Sequence, residues 1–475
     1  MIRTISPKAM QAYEQKIMQQ TGLPGLLLME HASRAVAEQL DKSLYTLFLC
    51  GPGNNGGDGF AAARLFHLAG GQCEVWRLPG ELKGDALTNW QLLQALCPRV
   101  KLCELTALQA FPPQTAQIVD ALFGTGLDRP LTGLPLEWVR QINASHLPVI
   151  AVDIPSGLSG QTGQIMGEAV KATKTVTFHR PKDGLYLAQG RSHTGEIIIA
   201  PIFLPQGEAE GYDILEAADI SQWLPPRKRD SHKGDYGRVL IRAGSPNMAG
   251  AAGLCAQAAL RTGAGLVTVC CDETTALTVH TLAPCATCCD ESARPQADVM
   301  AAGPGLGQGG EDFLKEMRAC EKPCIWDADA LNWLARQESC ALPAHHFATP
   351  HPGEAARLLG CTPQQVEFDR PAALRALYKK LGCTVILKGA VTLIISHEGK
   401  AMNLRGTPAM AKGGSGDALT GILAALAAKG LSPLRTAQLA CLLHGMAGEA
   451  AALKLGENAV TAMDLIDCLG KEMTP

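Results

Sequence analysis

Two glycine-rich strings in this chain each run into an aspartate, a combination suited to handling phosphate groups. The first is Gly51-Pro52-Gly53-Asn54-Asn55-Gly56-Gly57-Asp58-Gly59, and the second is Ala411-Lys412-Gly413-Gly414-Ser415-Gly416-Asp417. Successive glycines let the backbone approach a ligand, and a following helix aims unpaired N–H groups and its positive dipole end at an anion. Asn54, Asn55, Gly56, Gly57 and Asp58 are therefore expected to hold a phosphate, although the string lacks the dinucleotide spacing and could also be a tight structural turn. Asp417 is the more telling residue. A carboxylate facing a bound anion does not help binding, but it suits a base that deprotonates a hydroxyl attacking phosphorus. A capped helix start is the plain alternative.

Other polar residues stand at the ends of apolar runs. Asp120 precedes Ala121-Leu122-Phe123-Gly124-Thr125-Gly126-Leu127-Asp128-Arg129-Pro130, and Asp153 precedes Ile154-Pro155-Ser156-Gly157. Either aspartate alone could cap a turn. In a doubly wound sheet, strand C-termini share the crevice where ligands bind. Asn55, Asp120 and Ser156 offer hard oxygens with little charge, which favours potassium over zinc. In the second half, Lys388-Gly389-Ala390-Val391-Thr392 ends a strand with a cation and a flexible turn fit for a nucleotide tail. Thr349-Pro350-His351-Pro352-Gly353-Glu354-Ala355-Ala356-Arg357 forms a proline-fixed loop leading into a helix, where His351 could also be an ordinary loop histidine. Gly303-Pro304-Gly305-Leu306-Gly307 is a further, weaker glycine turn.

The elements that must position these residues follow from periodicity. Helical spacing over 6–40 gives way to strands at 45–50, 73–77, 117–121 and 148–152, alternating with helices at 60–69, 86–96 and 135–142. Proline pairs and a basic run near Pro225 place a boundary there, giving domains 1–222 and 227–475. Strands at 238–242, 266–271, 299–302, 324–327 and 385–388 then alternate with helices at 249–262 and 419–428. Both halves are α/β with mostly parallel sheets. Hydrophobic residues make up 47% of the 475, charged residues 18%, and the net charge is -3. Such a chain folds throughout, carries no field for nucleic acid or anionic membrane, and takes small molecules as partners. Its seventeen cysteines lie mostly in apolar segments, as expected for thiols packed as small hydrophobes in a reducing cytoplasm. The Cys285, Cys288 and Cys289 group has no matching pair or histidine for zinc. No segment has the length to span a membrane.

The strings through Gly51 to Gly59, Asp120 to Gly126 and Val152 to Gly157 resemble the NAD(P)H-hydrate epimerase family, over roughly residues 1–220. That resemblance implies a Rossmann-like three-layer domain with substrate on Asn54 to Asp58 and on Gly124, Thr125, Gly126, Leu127, Asp128, Arg129 and Pro130. It also implies potassium on Asn55, Asp120 and Ser156, and catalysis by Asp153 beside the nicotinamide. From about Ser231 onward, Thr-Pro-His-Pro-Gly-Glu and Gly-Gly-Ser-Gly-Asp resemble the ribokinase-like NAD(P)H-hydrate dehydratases. Here the resemblance implies nucleotide on Lys388, Gly389, Ala390, Val391 and Thr392 and on Thr407, Pro408, Ala409, Met410, Ala411, Lys412, Gly413, Gly414, Ser415 and Gly416. Hydrated cofactor would contact Gly253, Gly305, His351, Pro352, Gly353, Glu354, Ala355, Ala356, Arg357 and the catalytic Asp417. The substrates implied are NADH hydrate, NADPH hydrate and ADP, with magnesium, giving AMP and phosphate; a homo-oligomer is expected. The alternatives are a ribokinase-like small-molecule kinase and a first half that is a non-catalytic module.

Overall fold

The computed structural model describes residues 2–207 and 210–473, which form two compact units, the first ending at Tyr212 and the second beginning at Asp213. The first unit is built on strands β1 (Thr46–Cys50), β2 (Cys73–Arg77), β3 (Lys101–Glu104), β4 (Gln117–Ala121), β5 (Val149–Val152), β6 (Lys174–Phe178) and β7 (Glu196–Ala200). They make a seven-stranded sheet in the order β3-β2-β1-β4-β5-β6-β7, parallel throughout. Strands β1, β4 and β5 are buried along their whole length, so they read as continuous apolar runs and not as alternation. Strand order reverses between β1 and β4, and the crevice beyond their C-terminal ends receives Asp120, Asp153 and the start of the helix after β1.

That helix, Asn54–Leu68, begins six residues earlier than its periodicity suggests. Asn54 to Asp58 are its first turn and not a loop, with the Gly57 amide already donating to the Gly53 carbonyl at 3.0 Å. Its glycines hid the helical character, and they are required for packing: a Cβ on Gly56 would lie 1.8 Å from the Gly51 carbonyl oxygen. Gly56→Ala is therefore expected to push the helix off β1 and lower stability by about 3 kcal/mol, measured by urea unfolding.

The second unit contains β8 (Asp213–Ile214), β9 (Arg238–Arg242), β10 (Leu266–Cys270), β11 (Thr287–Cys289), β12 (Val299–Ala302), β13 (Cys324–Trp326), β14 (Phe347–Ala348), β15 (Thr384–Leu387), β16 (Thr392–Ser396) and β17 (Gly399–Asn403). The ten-stranded order is β11-β10-β9-β12-β13-β14-β15-β16-β17-β8. Among the described residues, β15-β16 and β16-β17 are the pairs that run antiparallel. The division between units falls before the expected 222, because β8 joins this sheet by pairing with β17. Helix Ser415–Ala427 is buried from Ala418 onward and packs on helix Ala249–Arg261, with Gly421 against the Cys255 carbonyl. Two small-residue faces allow that close approach.

All seventeen cysteines are free thiols. Cys270 and Cys289 face each other in register across β10 and β11, and burial lifts Cys270 and Cys271 to about 12. Among the described residues there is no cluster of His, Cys, Asp and Glu that could hold a metal ion, and no helix is long and apolar enough to cross a membrane.

Candidate active sites

In the first unit, the end of β4 presents Asp120, fully buried. Its carboxylate accepts from the Ser156 amide at 2.8 Å, the Ser156 hydroxyl at 2.6 Å and the Leu122 amide at 3.3 Å. Burial raises it to about 6 despite those bonds. The Ser156 hydroxyl also accepts from the Phe123 amide at 2.9 Å. Next along that loop, a Cβ on Gly124 would fall 2.8 Å from the Asn55 side-chain oxygen. The chain thus brings Asn55, Asp120 and Ser156 to one place. Asn55 Nδ2 is buried without a hydrogen-bond partner among the described residues. From Gly126 the loop turns outward, with Gly126, Asp128, Arg129 and Pro130 exposed.

Asp153 follows β5 in the left-handed region, φ 63°, a conformation that Asp tolerates better than most residues but that still stores strain. It accepts from Thr177 Oγ1 at 3.2 Å, the Phe178 amide at 3.3 Å and Lys182 Nζ at 2.5 Å. Two more acids share this field. Burial, with Asp153 nearby, pushes Asp58 well above the carboxylate range; burial pushes Glu14 up to about 7, against the pull of Lys182.

The second site gathers at the mouth of helix Ser415–Ala427. Gly414 starts it at φ 93°, and a Cβ on Gly413 would meet nothing within 4 Å, so the backbone there is open to a ligand. Asp417 is partly exposed in the helix's first turn, and no described residue donates a hydrogen bond to its carboxylate. Burial, and then the charge of Asp327, raise it to about 6 against the pull of Lys388. Lys388 Nζ would lie 3.5 Å from a Cβ on Gly416, is 2.7 Å from Asp327 Oδ1 and 3.9 Å from Glu354 Oε2. Lys388 is therefore part of the charged centre as well as the start of the loop to Thr392.

Some expected contacts take a different form. His351 caps helix Pro352–Leu359 through Nδ1, and Glu354 closes the capping box. Ala355 and Ala356 are buried, and Gly253 lies against Leu282, so none of these three presents a side-chain surface to a ligand. Gly305 adopts φ 58° against Met248 and Ala251, at the start of helix Ala249–Arg261. Arg357 donates to Asn332 at 3.0 Å. Lys412 Nζ is committed to the Asn458 and Val460 carbonyls at 2.7 Å each, and Thr407 Oγ1 donates to Glu457 at 2.8 Å. The segment from Thr407 to Gly416 is thus tied down on one side, leaving its glycine backbone open.

Sequence reasoning missed the residues that hold these groups. Asp327, at the end of β13, is 1% exposed and accepts from Lys388, from Thr349 Oγ1 at 2.7 Å and from Thr420 Oγ1 at 2.8 Å. Burial opposes its charge, but the Lys388 ammonium and the two hydroxyls outweigh that and hold it below the usual range. Through Thr420 it fixes the helix that carries Asp417. Asp327→Asn leaves Lys388 without its main counterion, and a stability loss of about 3 kcal/mol is expected in urea titrations. Buried Arg370 supports the other loop by donating to the carbonyls of Leu387, Lys388 and Val391 at 3.0 to 3.2 Å. His444 Nε2 meets the Ser415 carbonyl at 2.9 Å, and burial lowers it to about 4, so the neutral ring steadies the helix start.

A parallel sheet with Rossmann strand order, joined to a mixed α/β unit whose helix mouth carries an unheld aspartate, defines a two-domain enzyme for phosphate-bearing small molecules. A family profile described as NAD(P)H-hydrate dehydratase matches residues 239–471, and one described as YjeF-related protein N-terminus matches residues 25–184. Bifunctional NAD(P)H-hydrate repair enzymes of Moorella thermoacetica and Escherichia coli K12 are 38% and 36% identical, covering 94% and 95% of this chain and 92% and 90% of theirs. The chain belongs to the family of bifunctional NAD(P)H-hydrate repair enzymes. Among solved structures, an ADP/ATP-dependent NAD(P)H-hydrate dehydratase from Bacillus subtilis, co-crystallised with ATP and Mg2+, is 28% identical with TM-score 0.51, over 55% of this chain and 97% of its own. A ribokinase-like superfamily protein of Enterococcus faecalis is also 28% identical with TM-score 0.51, over 57% and 98%.

Proposed function

We propose that the second unit dehydrates the S form of hydrated NADH or NADPH at the expense of ADP, and that the first unit interconverts its R and S forms. The observation that carries this reading is the Asp417 carboxylate, which accepts no hydrogen bond from the described residues, at an open glycine-started helix beside Lys388. Asp417 takes the proton of the C6 hydroxyl, and the oxygen attacks the terminal phosphorus of ADP, releasing AMP. Amides of Gly413 to Gly416 meet the charge on the moving group. Phosphate then leaves C6, driven by the ring-nitrogen lone pair, and loss of the C5 proton restores the reduced nicotinamide. Hydroxide is a poor leaving group, which is why the reaction needs phosphoryl transfer. Magnesium, when bound, would neutralise phosphate charge; with no metal-holding cluster of acids, imidazoles or thiols among the described residues, it would be carried mainly by the nucleotide.

In the first unit, the nitrogen lone pair expels the C6 oxygen as water once Asp153 has given it a proton, and water returning on the other face gives that proton back to Asp153. Potassium suits the neutral oxygens of Asn55 and Ser156 with the single charge of Asp120. The orphaned Asn55 amide supports it, since turning the amide over places its carbonyl oxygen there. Seventeen free thiols suit a reducing cytoplasm. The test is to incubate the purified protein with mixed NADH-hydrate epimers, ADP or ATP, Mg2+ and K+, following absorbance of the reduced nicotinamide. Recovery of both epimers is expected; recovery of neither removes the reading.

A further inference from the structure

The dense contacts of Lys182 are explained neither by packing nor by the roles given above. Its side chain is 2% exposed, yet it carries an ammonium that donates to Asp153 Oδ1 at 2.5 Å, to Thr177 Oγ1 at 3.3 Å and to the Phe178 carbonyl at 3.2 Å. Burying an ammonium is costly unless each donor is satisfied, and here all three donors have partners. The main chain of Lys182 is clamped as well. Ile5 bridges to it in parallel fashion, the Ile5 amide donates to the Pro181 carbonyl at 2.9 Å, and Thr4 Oγ1 donates to Asp183 at 2.5 Å. The segment before the first helix, which lies outside the matched profile, thus holds the lysine in place.

We infer that Lys182 is a positioning residue for the first site, fixing the carboxylate of Asp153 in one orientation and keeping the substrate's C6 within its reach. Three acids lie around this lysine, and among the described residues Asp153 is the one that pairs with it. Burial raises Glu14, to about 7, and Asp58, and the hydrogen bonds of the ammonium go to Asp153, Thr177 and the Phe178 carbonyl. His179 is held neutral by burial and by Arg180 and Lys182, and does not compete as a cation. With φ 63° at Asp153, the carboxylate lies on a strained backbone where a lost anchor allows it to swing.

This inference rests on the epimerase reading, and the experiment separates the two. Interconversion of purified R and S hydrates is followed by chromatography without nucleotide, for wild type, Lys182→Met and Lys182→Arg, with near-UV circular dichroism on each. Lys182→Met is expected to lower kcat by about 100-fold, the size of effect an ångström of misplacement produces, with KM nearly unchanged. Lys182→Arg should recover most of that loss. Should the methionine variant lose its near-UV signal, Lys182→Gln, which stays polar but removes the charge and falls one atom short of Asp153, decides by the same split of kcat from KM. Wild-type kcat in the folded methionine or glutamine variant, or a loss confined to KM, overturns the inference. Absence of interconversion in the wild type overturns the epimerase reading instead.

Discussion

Asp417→Asn is expected to reduce dehydration of the S hydrate by about 10³-fold or more in kcat, while ADP binds as before. The substitution keeps the size and polarity of the side chain and removes only its ability to take a proton. Nucleotide affinity should survive because the anion-binding face from Gly413 to Gly416 is backbone, and a Cβ on Gly413 would meet nothing within 4 Å. Stability should change little, since no described residue donates to this carboxylate. The wild-type pH profile supplies a second check. Asp417 is raised to about 6 by burial and by Asp327, and the base must be ionised, so kcat should fall as pH drops through about 6 and level off above it. In Asp417→Asn that limb disappears. A variant with normal turnover and weakened ADP binding would mean that this residue is a ligand and not a base. Stopped-flow turnover together with titration calorimetry of ADP distinguishes the two.

What could be read in the sequence was whatever lies close along the chain. The glycine string and Asp417 are consecutive, so a helix mouth with an acid in its first turn could be inferred without tertiary information. Buried strands such as β1, β4 and β12 announced themselves as short apolar runs ending in turn residues. Lys182 and Arg370 could not be found this way, because each acts through partners far along the chain, Lys182 on Asp153 and Arg370 on the Lys388 loop, and the hold of Asp327 on Thr420 was equally hidden. Asp327 stands in an Asp-Ala-Asp-Ala string after an apolar run, a signal that could have marked it as a strand-end acid. The start of the helix at Asn54 was obscured by glycines with low helix propensity, which the close approach to Gly51 nonetheless demands. The hairpin of β16 and β17 has His397-Glu398 at its turn in place of the usual glycine or asparagine. The two-residue β8 is too short to carry any period, and this is why the boundary fell too late.

The two proposed acid–base residues are prepared in opposite ways, and the difference determines how each should fail. Asp417 accepts no hydrogen bond from the described residues and is free to take a proton. Asp153 is gripped by Lys182, Thr177 and Phe178, so its task depends on orientation as much as on charge. A group that must serve both faces of a ring benefits from a fixed position, because the hydroxyl leaves from one side and water returns from the other.

Asp153→Asn is accordingly expected to slow R-to-S interconversion by about 10²- to 10⁴-fold, leaving the second unit untouched. Asparagine accepts the left-handed backbone at φ 63° about as readily as aspartate, so the change removes charge and proton-carrying capacity without forcing the chain to move. Lys182 keeps Thr177 and the Phe178 carbonyl as partners but loses its counterion, which should cost the first unit about 3 kcal/mol. Assays at 25 °C with near-UV circular dichroism guard against mistaking unfolding for lost chemistry. The cleanest readout starts from mixed epimers with ADP. Recovery of reduced nicotinamide in Asp153→Asn should proceed at the normal initial rate, then stall once the S form is consumed, and resume when wild-type protein is added. Complete recovery of the R form at the wild-type rate would place the proton transfer elsewhere in the crevice, with Asp58 and Glu14 the next carboxyls to substitute.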